Sequence, residues 1–208
     1  MNYHIKPGYR INPMPRPVVH DPGRTERYQE DVYRLAARVA GERKLVSVLD
    51  VGCGLGDKLV DWLGAICPDL TGIDEAGAID HCRRTHDRGQ WLVMDAAAGA
   101  PLGRRFDMVM AIDVIEHVPD PDTLLRFVHG HVRPGGVVVL STPERDLRRG
   151  TEDMGPPANT AHVREWNGAE FRSYLDHSQL LRILDHQVVE MLPGIRTCQV
   201  VVAEPLRL

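Results

Sequence analysis

Between Glu26 and Glu42 apolar residues recur at Tyr28, Val32, Leu35, Ala36 and Val39, the three-and-four spacing of a helix that buries one face. The period then changes. Leu45 to Val51 is a short run rich in branched residues that ends at Gly52, Gly54 and Gly56, and Lys58 to Ile66 again reads as helix: strand, tight turn, helix. The alternation continues with a strand at Leu70 to Asp74, a helix from Ala76 to His86, and strands at Trp91 to Asp95 and Phe106 to Asp113. Asp120 before Pro121 has the character of an N-cap and first helical residue, opening a helix toward Gly130. Pro134-Gly135-Gly136 turns the chain into a strand at Val137 to Thr142. Nearly continuous apolar strands separated by helices predict a doubly wound, mainly parallel α/β sheet with helices on both faces.

From Pro143 to Trp166 there is no sustained period, and unpatterned connections of that length in compact domains are usually lids or binding loops. Asn167 with Glu170 three residues on matches a capping box, predicting a helix that runs on to Leu184. Two further β-type runs, His186 to Leu192 and Thr197 to Ala203, lie on either side of Pro193-Gly194.

The 208 residues suit a single domain, 1–208, with one full sheet in its core. A formal net charge of −4 gives no general attraction to phosphate backbones, so nucleic acid is a disfavoured substrate. Met1 to Asp21 is polar and proline-rich, with no apolar stretch suited to a signal peptide or membrane span, and the expectation is a cytoplasmic protein without membrane attachment. Cys53, Cys67, Cys82 and Cys198 show no Cys-x-x-Cys spacing and read as reduced thiols, Cys53 alone lying in the glycine loop. No Asp/His set has convincing ligand spacing, so no metal ion is expected.

A glycine-rich turn after the first strand lets backbone approach a ligand closely, which makes it a nucleotide-pocket signal. The dinucleotide pattern Gly-x-Gly-x-x-Gly would need glycine at position 57, where this chain has Asp57, an acid that suits a pyrophosphate poorly. A nicotinamide oxidoreductase is therefore the weaker reading. Asp50-Val51-Gly52-Cys53-Gly54-Leu55-Gly56, Gly72-Ile73-Asp74, Met94-Asp95-Ala96, Phe106 to Asp113, and Arg133-Pro134-Gly135-Gly136 follow one another in the order and spacing of five motifs of the class I S-adenosylmethionine-dependent methyltransferases, which the chain resembles from about Leu45 to Thr142. The resemblance implies a Rossmann-like seven-stranded methyltransferase sheet with a C-terminal antiparallel strand, and S-adenosylmethionine as cofactor. It further implies a cofactor-binding core over 45–142, with residues 1–25 as an N-terminal arm or lid and 143–166 as an active-site loop. Asp74 would then meet the ribose hydroxyls and Asp95 the adenine, with Asp50, Gly52, Cys53, Gly54, Gly56, Glu75, Ala96, Ile112 and Asp113 completing the cofactor set. Asp50 reads equally well as a loop cap.

The methyl acceptor should lie beside the carboxyl end of the fourth strand, where Ile115-Glu116-His117 resembles the subgroup that methylates small metabolites. Neutral imidazole suits a general base near pH 7, which makes His117 the first catalytic candidate and His162, on the long loop, the second. Arg145, Arg148 and Arg149 read as a solvated charge cluster before an anchor for an acidic acceptor. Trp166 and Tyr9 read equally well as walls of a substrate cavity and as aromatics packed near the core. The expected activity is O-methylation of a hydroxylated metabolite, sugar or natural-product intermediate, with a nucleic-acid methyltransferase and a non-catalytic cofactor-binding regulator as alternatives; oligomeric state is left open.

Overall fold

The computed structural model describes residues 3–18, 20 and 28–207. Its centre is a seven-stranded sheet in the order β3-β2-β1-β4-β5-β7-β6. The strands are β1 (Ser47–Val51), β2 (Asp69–Asp74), β3 (Gln90–Val93), β4 (Phe106–Ile112), β5 (Val132–Pro143), β6 (Leu181–Val189) and β7 (Cys198–Pro205). The first five run parallel, and β7 enters antiparallel between β5 and β6. The helices are α1 (Glu30–Arg43), α2 (Asp57–Leu63), α3 (Ala76–Thr85), α4 (Pro121–His131), α5 (Arg145–Arg149) and α6 (Gly168–Ser178). The expected helix start at Glu26 and part of the 1–25 arm lie outside the described residues.

Strand periodicity sorts the core into two layers. Met108, Met110, Val137, Val139, Val200 and Val202 face one layer with the buried stripe of α1 (Val32, Leu35, Ala36, Val39). Val109, Ala111, Val138, Leu140, Val201 and Ala203 face the other, with α4 and α6. Both faces being covered explains why the strands read as unbroken apolar runs. Chain order reverses direction between β1 and β4, so the carboxyl ends of these two strands open the crevice in which such sheets place ligands.

Three sequence expectations change. The helix expected to reach Leu184 stops at Ser178, because Gln179 takes a left-handed conformation (φ 53°) and the next residues pair with β7, Leu181 opposite Pro205 and Ile183 opposite Ala203. The Pro134-Gly135-Gly136 turn is instead a bulge inside β5, between the pairings Phe106 with Val132 and Met108 with Val137. The 143–166 connection contains α5 and is tied to the N-terminal arm by backbone bonds from Arg10 to Met154 (2.8 Å), Asn12 to Val163 (2.8 Å) and Arg16 to Thr160 (2.9 Å).

Candidate functional site

The loop from β1 to α2 passes through three left-handed glycines, Gly52 (φ 72°), Gly54 (φ 57°) and Gly56 (φ 81°). At Gly52 a Cβ would come within 2.5 Å of Val114, and at Gly56 within 2.7 Å of the Trp91 ring, so any larger residue closes the turn as well as straining it. Across the loop stands Asp74 at the end of β2. Its Oδ2 accepts from the Gly54 amide and its Oδ1 from the Glu75 amide, both at 2.7 Å, and His20 of the N-terminal arm approaches Oδ1 at 3.5 Å. Burial alone would raise the Asp74 carboxyl, yet His20 and these two amides hold it below the usual range. An ionised acid over a cradle of glycine backbone, with Asp57 where a pyrophosphate would need neutral or positive groups, fits a nucleoside ligand that carries no phosphate.

The remaining cofactor candidates have distinct local duties. Glu75 caps α3, its two oxygens accepting from Gly77 and Ala78 at 2.9 Å each. Asp95 is exposed beyond β3 and caps the turn of Ala96–Ala98 through the Ala97 amide at 2.8 Å. Asp113, just past Ile112, is left-handed (φ 51°) and takes hydrogen bonds from Ser141 Oγ at 2.6 Å and the Tyr28 hydroxyl at 3.2 Å. Asp50 is fully buried beneath the loop, bonded to the Tyr33 hydroxyl at 2.9 Å through Oδ2, while Oδ1 has no hydrogen-bond partner. Burial drives its pKa up to about 7, against the pull of Tyr33 and Lys58. Contact with Cys82, then burial, pushes the Cys53 thiol well above its ordinary value, so this cysteine lines the loop without nucleophilic character.

On the acceptor side the fold unites residues far apart in the chain. A backbone bond from Val163 to the Glu116 carbonyl (2.8 Å) lays the long connection against the segment after β4, and the His117 and His162 rings meet edge to face at 4.7 Å. His117 Nδ1 bonds the Ala161 carbonyl at 2.9 Å; burial and then the neighbouring His162 lower its pKa to about 4, so it is a neutral imidazole at pH 7. His162 is buried, with Nδ1 against Glu165 Oε1 at 2.6 Å and the Asn159 amide on Nε2 at 2.8 Å. Beside both rings lies Glu116, fully buried: Oε2 accepts from Thr142 Oγ1 at 2.9 Å, and Oε1 has no hydrogen-bond partner among the described residues. Burial, reinforced by Asp113, pushes this carboxyl well above the usual range.

Glu116, Glu165, Tyr33 and His20 were not singled out in the sequence. The adjacent Glu116-His117 and the three-residue step from His162 to Glu165 were the signals that could have found the first two. One open reading is decided and one expectation is overturned. Trp166 is no cavity wall: it is wholly buried, stacked on Tyr174 and bonded through Nε1 to the Tyr3 carbonyl. Arg145 is not solvated but wholly buried, gripping Glu170 with both terminal nitrogens (2.6 and 3.1 Å) and Asp146 with Nε (2.9 Å), while Arg148 and Arg149 stay exposed. Tyr9, the other proposed wall, is half-buried and accepts from the Glu165 amide at 3.1 Å.

A family described as methyltransferase domain matches residues 22–186. Among curated relatives, the ubiquinone biosynthesis O-methyltransferase of Azotobacter vinelandii is 33% identical over 148 residues, covering 68% of this chain and 56% of that protein. Its counterpart in Azorhizobium caulinodans is 32% identical over 117 residues, covering 54% and 46%. The chain thus spans about half the length of the curated relatives it matches. Among solved structures, the N-methyltransferase NodS from Bradyrhizobium japonicum in complex with S-adenosyl-L-homocysteine superposes with TM-score 0.70 at 18% identity, covering 91% of this chain and 94% of that one. The magnesium protoporphyrin IX methyltransferase of Synechocystis, also with bound S-adenosylhomocysteine, gives TM-score 0.63 at 16% identity over 85% and 82%. At these identities the two structures speak for the fold.

Proposed function

Because the chain belongs to the class I S-adenosylmethionine-dependent methyltransferases, we propose that it methylates a hydroxyl group of a small metabolite, sugar or natural-product intermediate. The observation that carries the reading is the ionised Asp74 facing the left-handed glycines of the first loop, because this pairing offers a carboxylate to ribose hydroxyls and bare backbone to the rest of a nucleoside. Oxygen as the acceptor atom is supported by the relatives named for O-methylation and by the imidazole pair at the end of β4.

When bound, S-adenosylmethionine supplies an electrophilic methyl on a sulfonium: the acceptor O–H loses a proton, an O–C bond forms, and the C–S pair returns to sulfur. The chain's own part is positioning and proton handling. Asp74 and the glycine loop hold the nucleoside end. Asp113, fixed by Ser141 and Tyr28, shapes the crevice beyond β4. His117 and His162 sit beyond it, where a neutral imidazole orients an acceptor hydroxyl; Glu165 sets the orientation of the His162 ring. Among the described residues no helix is long and apolar enough to cross a membrane, and the working assignment is a cytoplasmic enzyme.

Two measurements test this in order. Calorimetry should show heat with S-adenosylhomocysteine and none with NAD; micromolar NAD binding without a response to S-adenosylhomocysteine would end the proposal. Labelled S-adenosylmethionine offered with a panel of hydroxylated metabolites, sugars and oligonucleotides should then label a small hydroxylated compound, and labelling of the oligonucleotides alone would move the acceptor to another class.

A further inference from the structure

We propose that Glu116, His117 and His162 form a binding site for one divalent transition-metal ion of the zinc and cobalt kind, at the acceptor end of the crevice. One ligand atom from each of the three lies within 4.8 Å of the others. Glu116 Oε1 is 3.9 Å from His117 Nε2 and 3.9 Å from His162 Nε2. Two donors at about 2.1 Å on a tetrahedral ion are separated by roughly 3.4 Å, so each Glu116–His pair closes around a metal with a shift of about half an ångström and the imidazole pair with one of at most about 1.4 Å.

The independent sign is what each donor atom is left to do. Glu116 Oε1 is a buried carboxyl oxygen without a hydrogen-bond partner among the described residues, equidistant from the Nε2 atoms of two imidazoles, while its sister Oε2 is held by Thr142. An orphaned oxygen at full burial is a cost that a cation removes. His117 gives Nδ1–H to a carbonyl, which can only accept, and so presents an unprotonated Nε2 to Glu116. His162 has its Nδ1 on the Glu165 carboxylate, which sets the same tautomer. An imidazole whose far nitrogen is fixed by a carbonyl or carboxylate is the arrangement that orients metal-binding histidines and raises their basicity. One group competes, since the Asn159 side-chain amide donates to His162 Nε2 and has to swing away when the ion enters.

Two imidazoles and one carboxylate select a borderline ion over Mg2+ or Ca2+, which favour oxygen ligands. Three protein ligands leave coordination positions open. Glu116 and His162 are sealed in, whereas the His117 side chain is 21% exposed, so the open positions face the crevice on the His117 side. There the ion, with both imidazoles turned to it, would itself take up the acceptor oxygen in place of a free imidazole and make its hydroxyl more acidic, the proton leaving to solvent. That role rests on the methyl-transfer proposal, while ion binding itself does not.

The test uses the full chain freed of metal by a chelator and titrated with Zn2+ by calorimetry, with Co2+ absorption reporting the ligand set and S-adenosylhomocysteine titrated separately. One ion per chain is expected, with affinity reduced at least 10-fold in Glu116→Gln and in His162→Ala. Glu165→Gln, which touches no metal, should lose about 10- to 100-fold. Asn159→Ala, which removes the competing donor, should bind the ion more tightly than wild type, and it keeps the test alive if a buried variant fails to fold. Absence of stoichiometric binding, affinity unchanged in Glu116→Gln, or weaker binding in folded Asn159→Ala overturns the site. Metal binding without S-adenosylhomocysteine binding would leave the site standing and remove the methyltransferase proposal instead.

Discussion

Replacing Asp50 by Asn should remove a pH-dependent weakness from the fold. The carboxyl is fully buried, and burial raises its pKa from an ordinary 3.8 to about 7 despite the Tyr33 hydroxyl and Lys58. The folded state therefore holds a proton on Asp50 that the unfolded chain releases near pH 4. With more protons bound in the native state, stability falls as pH rises from about 4 through 7. A shift of about three pH units corresponds to on the order of 4 kcal/mol lost across that window, an upper figure because water penetration and relaxation soften it. Asparagine keeps the shape and the acceptor for Tyr33 and carries no charge. The variant should match wild type near pH 4 and exceed it by a few kcal/mol at pH 8. Urea unfolding of both proteins without cofactor, at half-unit steps of pH, gives the difference directly, and subtraction cancels the titration of the other carboxylates. A stability difference that stays flat from pH 4 to pH 8 would show that Asp50 is ionised or solvated in the folded protein and that the reasoning from its burial is wrong.

Asp74→Asn removes the charge behind its bonds to ribose hydroxyls and sets an amide NH2 against one of the two backbone N–H groups the carboxylate accepts; with charge-assisted bonds worth about 1.5–3 kcal/mol, S-adenosylhomocysteine affinity should fall roughly 10- to 150-fold by calorimetry, and the melting temperature should drop without loss of the fold. Arg145→Ala leaves Glu170 with its charge buried and its strongest partner gone, so chemical denaturation should show a loss of about 3–5 kcal/mol; a loss under 1 kcal/mol would mean that Arg145 is the solvated residue its sequence context suggests.

The strand core was readable because each face of the sheet is covered. β4 was expected at Phe106 to Asp113 and runs from Phe106 to Ile112, since every one of its positions but Asp107 is buried and the apolar run has no gaps. The end of α6 was not readable for the opposite reason. Leu180, Leu181, Ile183 and Leu184 satisfy a helical face and an edge strand about equally, and what decides is the partner strand β7, which supplies bonds only after the chain has folded back. Arg145 misled in the same way: beside Arg148 and Arg149 it reads as part of a surface cluster, and only the arrival of α6 with Glu170 makes burial affordable.

The two halves of the site differ in where their information sits. The cofactor half is written in backbone conformation, because left-handed turns at Gly52, Gly54 and Gly56 demand glycine locally, and Asp74 terminates a strand whose neighbours are consecutive in the chain. A local code survives reading from local sequence. The acceptor half depends on a seam between distant segments, in which the Val163 amide meets the Glu116 carbonyl, His117 bonds the Ala161 carbonyl and Arg164 bonds the Val118 and Pro119 carbonyls, bringing His162 beside Glu116 and His117. The residues that make the seam sit next to the two histidines, but nothing in either local stretch names the other as its partner. The seam's stability comes from the burial of Val163 and Trp166, the Glu144–Trp166 bridge and the arm's bond from Asn12. Spacing rules for metal ligands therefore saw an isolated Glu116-His117 and a distant His162, and the donor set emerges only when long-range packing is added to the strand pattern.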